Sequence, residues 1–171
     1  MNATATDIPH AERLARITGL AGSIRSRAAE IDDCAVFPAE TFADLRAAGL
    51  LALTAPVELG GAGLWSAGRY RPFWELIGPL ARIDSVIAQL LQVHSHMLGI
   101  VAGLAGDEQR QAPIGSIVAD GRLLASVGSE AKPSGKLADV SRAELAPLPG
   151  AGPYAWRGVR VLELAAPPEV E

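Results

Sequence analysis

Leu14, Ile17, Leu20, Ile24, Ala28 and Ile31 recur every three or four residues along an otherwise polar stretch. That spacing lays a single apolar stripe along a helix and predicts one over residues 8–32. Pro38 suits a first helical turn, and Phe42, Leu45 and Ala48 continue the period. Gly49 then ends a helix over 38–48 as a C-terminal cap would. Leu50–Pro56 is an apolar link, and residues 58–63 form a glycine-rich loop. Ser66 offers an N-cap for a helix reaching about Leu80. Pro72 moves the expected start towards Arg71, and Pro79 fits an end close to it.

The longest apolar stretch, Val86–Ala105, is interrupted by Gln89, Gln92, His94, Ser95 and His96. It predicts a buried helix over 84–104, capped by Asp84-Ser85, and not a membrane span. On a helical wheel, Ile87, Leu90, Leu91, Met97, Leu98, Val101 and Leu104 share a broad apolar face. His94 falls in the middle of it, while His96, Gly99 and Gly103 fall opposite. Gly99 and Gly103 at i, i+4 suit the close approach of a neighbouring helix. Asp107 caps a further helix to about Val118, with a kink at Pro113. After Asp120-Gly121 the texture changes, and strands are expected over 122–129, 136–145 and 154–164.

The chain is therefore mainly α: a helical domain over 1–120, followed by a short β segment over 121–171. Composition agrees, with 31 Ala and 21 Leu but only 5% aromatic residues among 171. A net charge of −4 argues against a nucleic-acid partner, which favours a basic face. The single cysteine, Cys34, has no basic neighbour in sequence and cannot form an internal disulfide. No Cys/His cluster suggests a metal. Residues 1–12 lack a secretory pattern, and the acids among the N-terminal arginines argue against a transit peptide, so a cytoplasmic location is expected.

Chemistry has few candidates. His94 is either a satisfied core histidine or a proton-exchanging group on a pocket floor. His96 reads as a solvated residue. Gly60-Gly61-Ala62-Gly63 follows no strand and lacks both the dinucleotide and P-loop spacings, so by itself it is a flexible turn. Ser126, Ser129 and Glu130 read as polar residues at a strand end, with no nucleophile elbow around them.

The order of these pieces resembles the acyl-CoA dehydrogenase superfamily. Phe37-Pro38 through Leu50 resembles its F-P-x-E-x-x-x-x-L-x-x-x-G-L pattern, and Pro56–Gly63 resembles its P-x-E-x-G-G-x-G loop. Ala81–Ser85 is similar to its A-x-x-D-x-S helix opening, and Gly106–Arg110 to its G-x-E-x-Q-K/R helix start. Asp120-Gly121 leads to Ser129-Glu130, where dehydrogenases show T-E-P. Ser129-Glu130-Ala131 and Ala112-Pro113-Ile114 depart from the dehydrogenase T-E-P and Y-L-P patterns. They are more similar to the flavin-dependent monooxygenases of this fold that desulfurise dibenzothiophene. That branch carries a proposed active-site histidine ten residues after the Asp, the position of His94 here.

The resemblance implies the N-terminal helical domain of the acyl-CoA dehydrogenase fold followed by a truncated β-domain start. It implies a flavin, FAD or FMN, contacted near Val127, Ser129 and Glu130, and weakly held or absent in this chain. It implies a catalytic role for His94, and a small-molecule substrate: an acyl thioester, or an organosulfur or aromatic compound. Full-length relatives are expected to be homo-oligomers. Without the family's C-terminal bundle, the face of Ile87, Leu91, His94, Leu98 and Val101 is expected to be exposed and to drive association. The other reading is a truncated, inactive helical domain that acts only by packing against a protein partner. Arg157–Leu164 also resembles the opening strand of the third family of coenzyme A transferases.

Overall fold

A computed structural model describes residues 8–65, 70–126, 144–147 and 156–159. Among the described residues, six α-helices occur in the order α1 His10–Gly19, α2 Ala21–Cys34, α3 Ala39–Ala47, α4 Tyr70–Ile83, α5 Ser85–Leu104 and α6 Asp107–Asp120. A 3₁₀ turn, Val57–Leu59, precedes α4. The chain divides into two compact units, 1–126 and 127–171.

The expected helix over 8–32 is two helices. They meet at Leu20, whose N–H reaches both Arg16 and Ile17 carbonyls at 3.1 and 3.2 Å. Gly19 and Gly22 flank that step, and glycine weakens a helical path. Ile17 and Ile24 remain buried on either side, so the apolar stripe survives the break. Arg27 of α2 holds α3 through Asp44 at 2.7 Å and Glu40 at 3.1 Å.

The end of α3 follows from its glycine. Gly49 takes φ +72°, its N–H bonds Arg46 O, and the Leu50 N–H bonds Leu45 O at 2.9 Å. These two bonds satisfy carbonyls that a helix end otherwise leaves unpaired. The chain then turns inward, and Leu50 to Ala55 are all buried.

α4 runs through Pro79, where the sequence suggests a stop. Proline removes the bond to Glu75 O, but Phe73, Leu76, Ile77 and Leu80 are buried along one face that spans it. Packing on α1, α2 and α5 outweighs the one lost bond. Ser66 lies outside the described residues.

α5 begins as its sequence predicts. Asp84 Oδ1 accepts from the Val86 and Ile87 N–H groups at 2.8 and 3.0 Å. Asp84→Ala is expected to cost about 1 kcal/mol, read as a lower denaturant midpoint with unchanged slope. At α6 the cap is Gly106 and not Asp107, with Gln109 Oε1 accepting the Gly106 N–H at 3.3 Å. Gly121, at φ +68°, closes α6, and Arg46 Nη2 donates to Ala119 O at 2.7 Å.

The core has two parts. One gathers Ile17, Leu45, Leu53, Phe73, Leu80 and Leu91 among its buried residues, and the other Ala52, Ala55, Leu98, Ile114 and Ile117. α5 is long and apolar enough to cross a membrane by length and composition alone, but one of its faces is packed against α4 and α6.

The strands differ from expectation. Residues 122–126 form no strand among the described residues, and they stay with the helical unit because Leu123 and Leu124 pack on its two cores. The second unit holds Glu144–Pro147 (β1) antiparallel to Trp156–Val159 (β2), with Glu144 opposite Val159 and Pro147 opposite Trp156. The rest of the three expected strands lies outside the described residues.

Candidate functional site

His94 is 1% exposed, on the α5 face that packs inward. Its Nδ1 accepts the Leu124 backbone N–H at 3.0 Å. A backbone N–H can only donate, so Nδ1 carries no proton and the neutral ring is protonated at Nε2. Nε2–H then donates to Leu51 O at 2.9 Å. One imidazole thereby fastens α5 to the link after α3 and to the segment after α6. Burial lowers its pKa, and the bond to Leu51 O opposes that only in part.

Both ring nitrogens are thus committed to main chain. The face expected to lie open is closed by the chain itself: Ile87, Leu91, His94 and Leu98 are buried, and Val101 packs on the second core. The expectation of a solvated His94 on an exposed apolar patch is corrected accordingly. The link Leu50–Ala55 and helix α6 cover this face of α5.

The glycine-rich loop is ordered, not a free turn. Ala62 N–H bonds Ala52 O at 2.9 Å, Gly63 N–H bonds Ala55 O at 2.8 Å, and Leu64 N–H bonds Leu53 O at 2.9 Å. Gly60 and Gly63 take φ +86° and +64°. Gly61 lies so close to Ala55 that a Cβ there would overlap the Ala55 carbonyl. The loop therefore doubles back on the buried link and delivers Trp65 to α5.

Trp65 rests on Gly99, where a Cβ would collide with the indole. The i, i+4 glycines thus accept a tryptophan and an open space, where their spacing suggested a second helix. Tyr70, Phe73 and His96 meet the indole edge-on, with ring centroids 5.3, 5.6 and 5.3 Å away. His96 is exposed, as its place on the wheel suggests, but it leans on this aromatic group.

Beside Trp65 is a cleft of about 460 Å³. Thr54, Pro56, Val57 and Glu58 line one side of it, and Gly99, Ala102 and Gly103 of α5 the other. The volume falls within the range of small-molecule sites. Its polar groups are few. The Thr54 hydroxyl is already donated to Ser95 O at 2.6 Å, and Glu58 is exposed. His94 does not line this cleft. The sequence reading missed Trp65; its available signal was the pair of helical glycines read together with the Gly60–Gly63 loop.

Among the described residues, the lining of the cleft includes no cationic side chain, so that lining by itself does not fit the phosphates of a flavin nucleotide. Val127, Ser129 and Glu130, the expected flavin contacts, lie outside the described residues. Among the described residues, no group of three His, Cys, Asp or Glu side chains could hold a metal ion.

The helical unit thus carries a glycine-rich loop folded onto a long central helix beside a small-molecule-sized cleft. The family model for the acyl-CoA dehydrogenase N-terminal domain matches residues 19–120. The chain belongs to the acyl-CoA dehydrogenase family and carries its N-terminal helical domain. No curated protein matches the chain.

Proposed function

We propose that this domain forms the helical wall of a flavin-dependent oxidoreductase, with the cleft beside Trp65 receiving the apolar part of the substrate. The observation that carries this reading is the cleft itself: a preformed apolar space between the family's glycine-rich loop and its central helix. The flavin belongs to the wider protein of this family and is held by residues other than those lining the cleft. The chemistry is dehydrogenation of an acyl thioester or flavin-dependent monooxygenation. Ser129-Glu130-Ala131 and Ala112-Pro113-Ile114 favour the monooxygenase branch. His94 serves that site from behind, by fixing α5 and Leu124 in register. Cytoplasmic location and homo-oligomerisation of the whole protein are parts of the same proposal.

A ligand that binds only the native state stabilises it, by about 1.4 kcal/mol at ten times its dissociation constant. Thermal unfolding of the 171-residue chain is measured with octanoyl-CoA, octanol and naphthalenemethanol, and with coenzyme A alone as control. At least one apolar ligand is expected to raise Tm by several degrees, coenzyme A is expected to be silent, and Trp65→Ala is expected to abolish the shift. A Tm unmoved by all three apolar ligands at millimolar concentration would sink the substrate-wall reading.

The packing-only reading draws on one observation. Leu104, Val86 and Phe37 are exposed by 83%, 56% and 55%. Light scattering checks it: concentration-dependent association without ligand response would support an interaction domain.

A further inference from the structure

We propose that His94 is a proton-operated latch on the segment that follows α6. When Nδ1 takes a proton it lets go of the Leu124 N–H, and residues 122–126 lift from the helical unit while α5 stays fastened to the link after α3.

The two sides of the imidazole respond oppositely to a proton. Nε2–H donates to Leu51 O, a bond that a charged ring keeps and strengthens. Nδ1 accepts the Leu124 N–H, and once protonated it has no lone pair to offer, so two N–H groups would point at one another. That contact has to open, and anchoring decides which side moves. The link is buried from Leu50 to Ala55, and its Ala52, Leu53 and Ala55 carbonyls bond the glycine-rich loop at 2.9, 2.9 and 2.8 Å. Among the described residues, the hydrogen bond to His94 is the one that ties segment 122–126 to another element. Leu123 and Leu124 are only half-buried on the two cores, and Arg122, Ala125 and Ser126 are exposed. The weakly anchored segment therefore moves, and Leu124 comes off the core of Leu98, Ile114 and Ile117.

Among the described residues, no carboxylate stands by to hold the cation in place. On α5 the other titratable side chain is His96, on the exposed face, and the link 50–56 has none. α4 turns Phe73, Leu76 and Leu80 inward and leaves Arg71, Glu75 and Arg82 exposed. α6 turns Ile114 and Ile117 inward and leaves Asp107, Glu108 and Asp120 exposed, and its half-buried Arg110 pairs with Asp107. Arg122 lies 4.0 Å from Asp120, and Arg46 donates to Ala119 O. Solvent is then the partner for the charge, and it reaches Nδ1 when the segment lifts. Burial holds the pKa of the closed form below 6.5. Between that value and 6.5 the open fraction rises about tenfold for each unit that pH falls.

Amide hydrogen exchange of the 171-residue chain, followed by NMR from about pH 7.5 to about pH 5 and corrected for intrinsic rates, tests this. The Leu124 amide is expected to be protected at the upper end, yet at least about tenfold less than the Leu91 and Leu98 amides of α5, because the segment opens without the core. Its protection is expected to fall about tenfold per unit below pH 6.5, and in His94→Gln, which does not titrate, to stay level. Leu124→Pro removes the N–H that the latch holds, so His94 in that chain is expected to titrate closer to 6.5 than in the parent, read from its ring proton shifts. Leu124 protection equal to that of Leu91 and Leu98 would show that the segment opens only with the whole unit, and the latch falls. It falls as well if Leu124 is unprotected at the upper end, if its protection ignores pH, or if Leu124→Pro leaves the His94 titration unmoved. The first three results are read on the unaltered chain, so they hold even if a variant misfolds.

Discussion

Replacing His94 by alanine is expected to destabilise the helical unit by about 2–4 kcal/mol, the sum of two unpaired buried groups and a small cavity. The imidazole bonds Leu51 O and the Leu124 N–H, so its removal strands an acceptor and a donor inside the protein. Chemical denaturation of His94→Ala against the parent chain measures the loss. A change below about 0.5 kcal/mol would mean that the staple is not formed in solution.

The same residue sets a pH dependence. Burial places the folded pKa of His94 below its ordinary value of 6.5. The unfolded chain therefore binds more protons than the folded one between those two values, and stability rises with pH across that window. His94 contributes its full stabilisation above pH 6.5 and loses it as pH falls through the folded pKa. Protonating Nδ1 would also turn the acceptor of the Leu124 N–H into a donor. Thermal melts of the parent chain and of His94→Leu at several pH values from 7.5 downwards, about one unit above the ordinary histidine value, isolate this term. The parent is expected to lose the larger share of its stability on acidification. Parallel profiles would show that His94 does not titrate on unfolding.

Gly61→Ala is the other substitution with a large expected effect, about 2–4 kcal/mol. Its Cβ would meet Ala55 main chain, which is buried and tied by its carbonyl to the Gly63 N–H at 2.8 Å. A backbone obstacle cannot rotate away, so the loop must lift off the link and carry Trp65 with it. Gly115→Ala provides the comparison, since a Cβ there meets nothing within 4 Å. In a helix interior that change should stabilise by about 0.5–1 kcal/mol. Both are read from denaturant midpoints, and Gly61→Ala should also lower naphthalenemethanol affinity. Equal midpoints for Gly61→Ala and the parent would show that the loop is not pressed on Ala55.

The sequence by itself determined most of the helical segments and several of their ends. Periodicity and caps act within a few residues, so Asp84 at the start of α5 and Gly49 and Gly121 at the ends of α3 and α6 were all readable in one dimension. The order of motifs over 37–130 carried the family as well, because those patterns are local strings. Tertiary structure alone decided the rest. Pro79 stays inside α4 because a buried face extends across it, and a sequence window weighs the proline more heavily than the packing. The ring of His94 is fixed by groups 43 and 30 residues away in sequence, and Trp65 sits on Gly99 across the glycine-rich loop. Periodicity placed His94 on the apolar face, but whether such a histidine exchanges protons or staples main chain depends on what lies opposite each nitrogen. That is set by long-range closure, where the orientation of a side chain is decided by its partners and not by its neighbours in the chain.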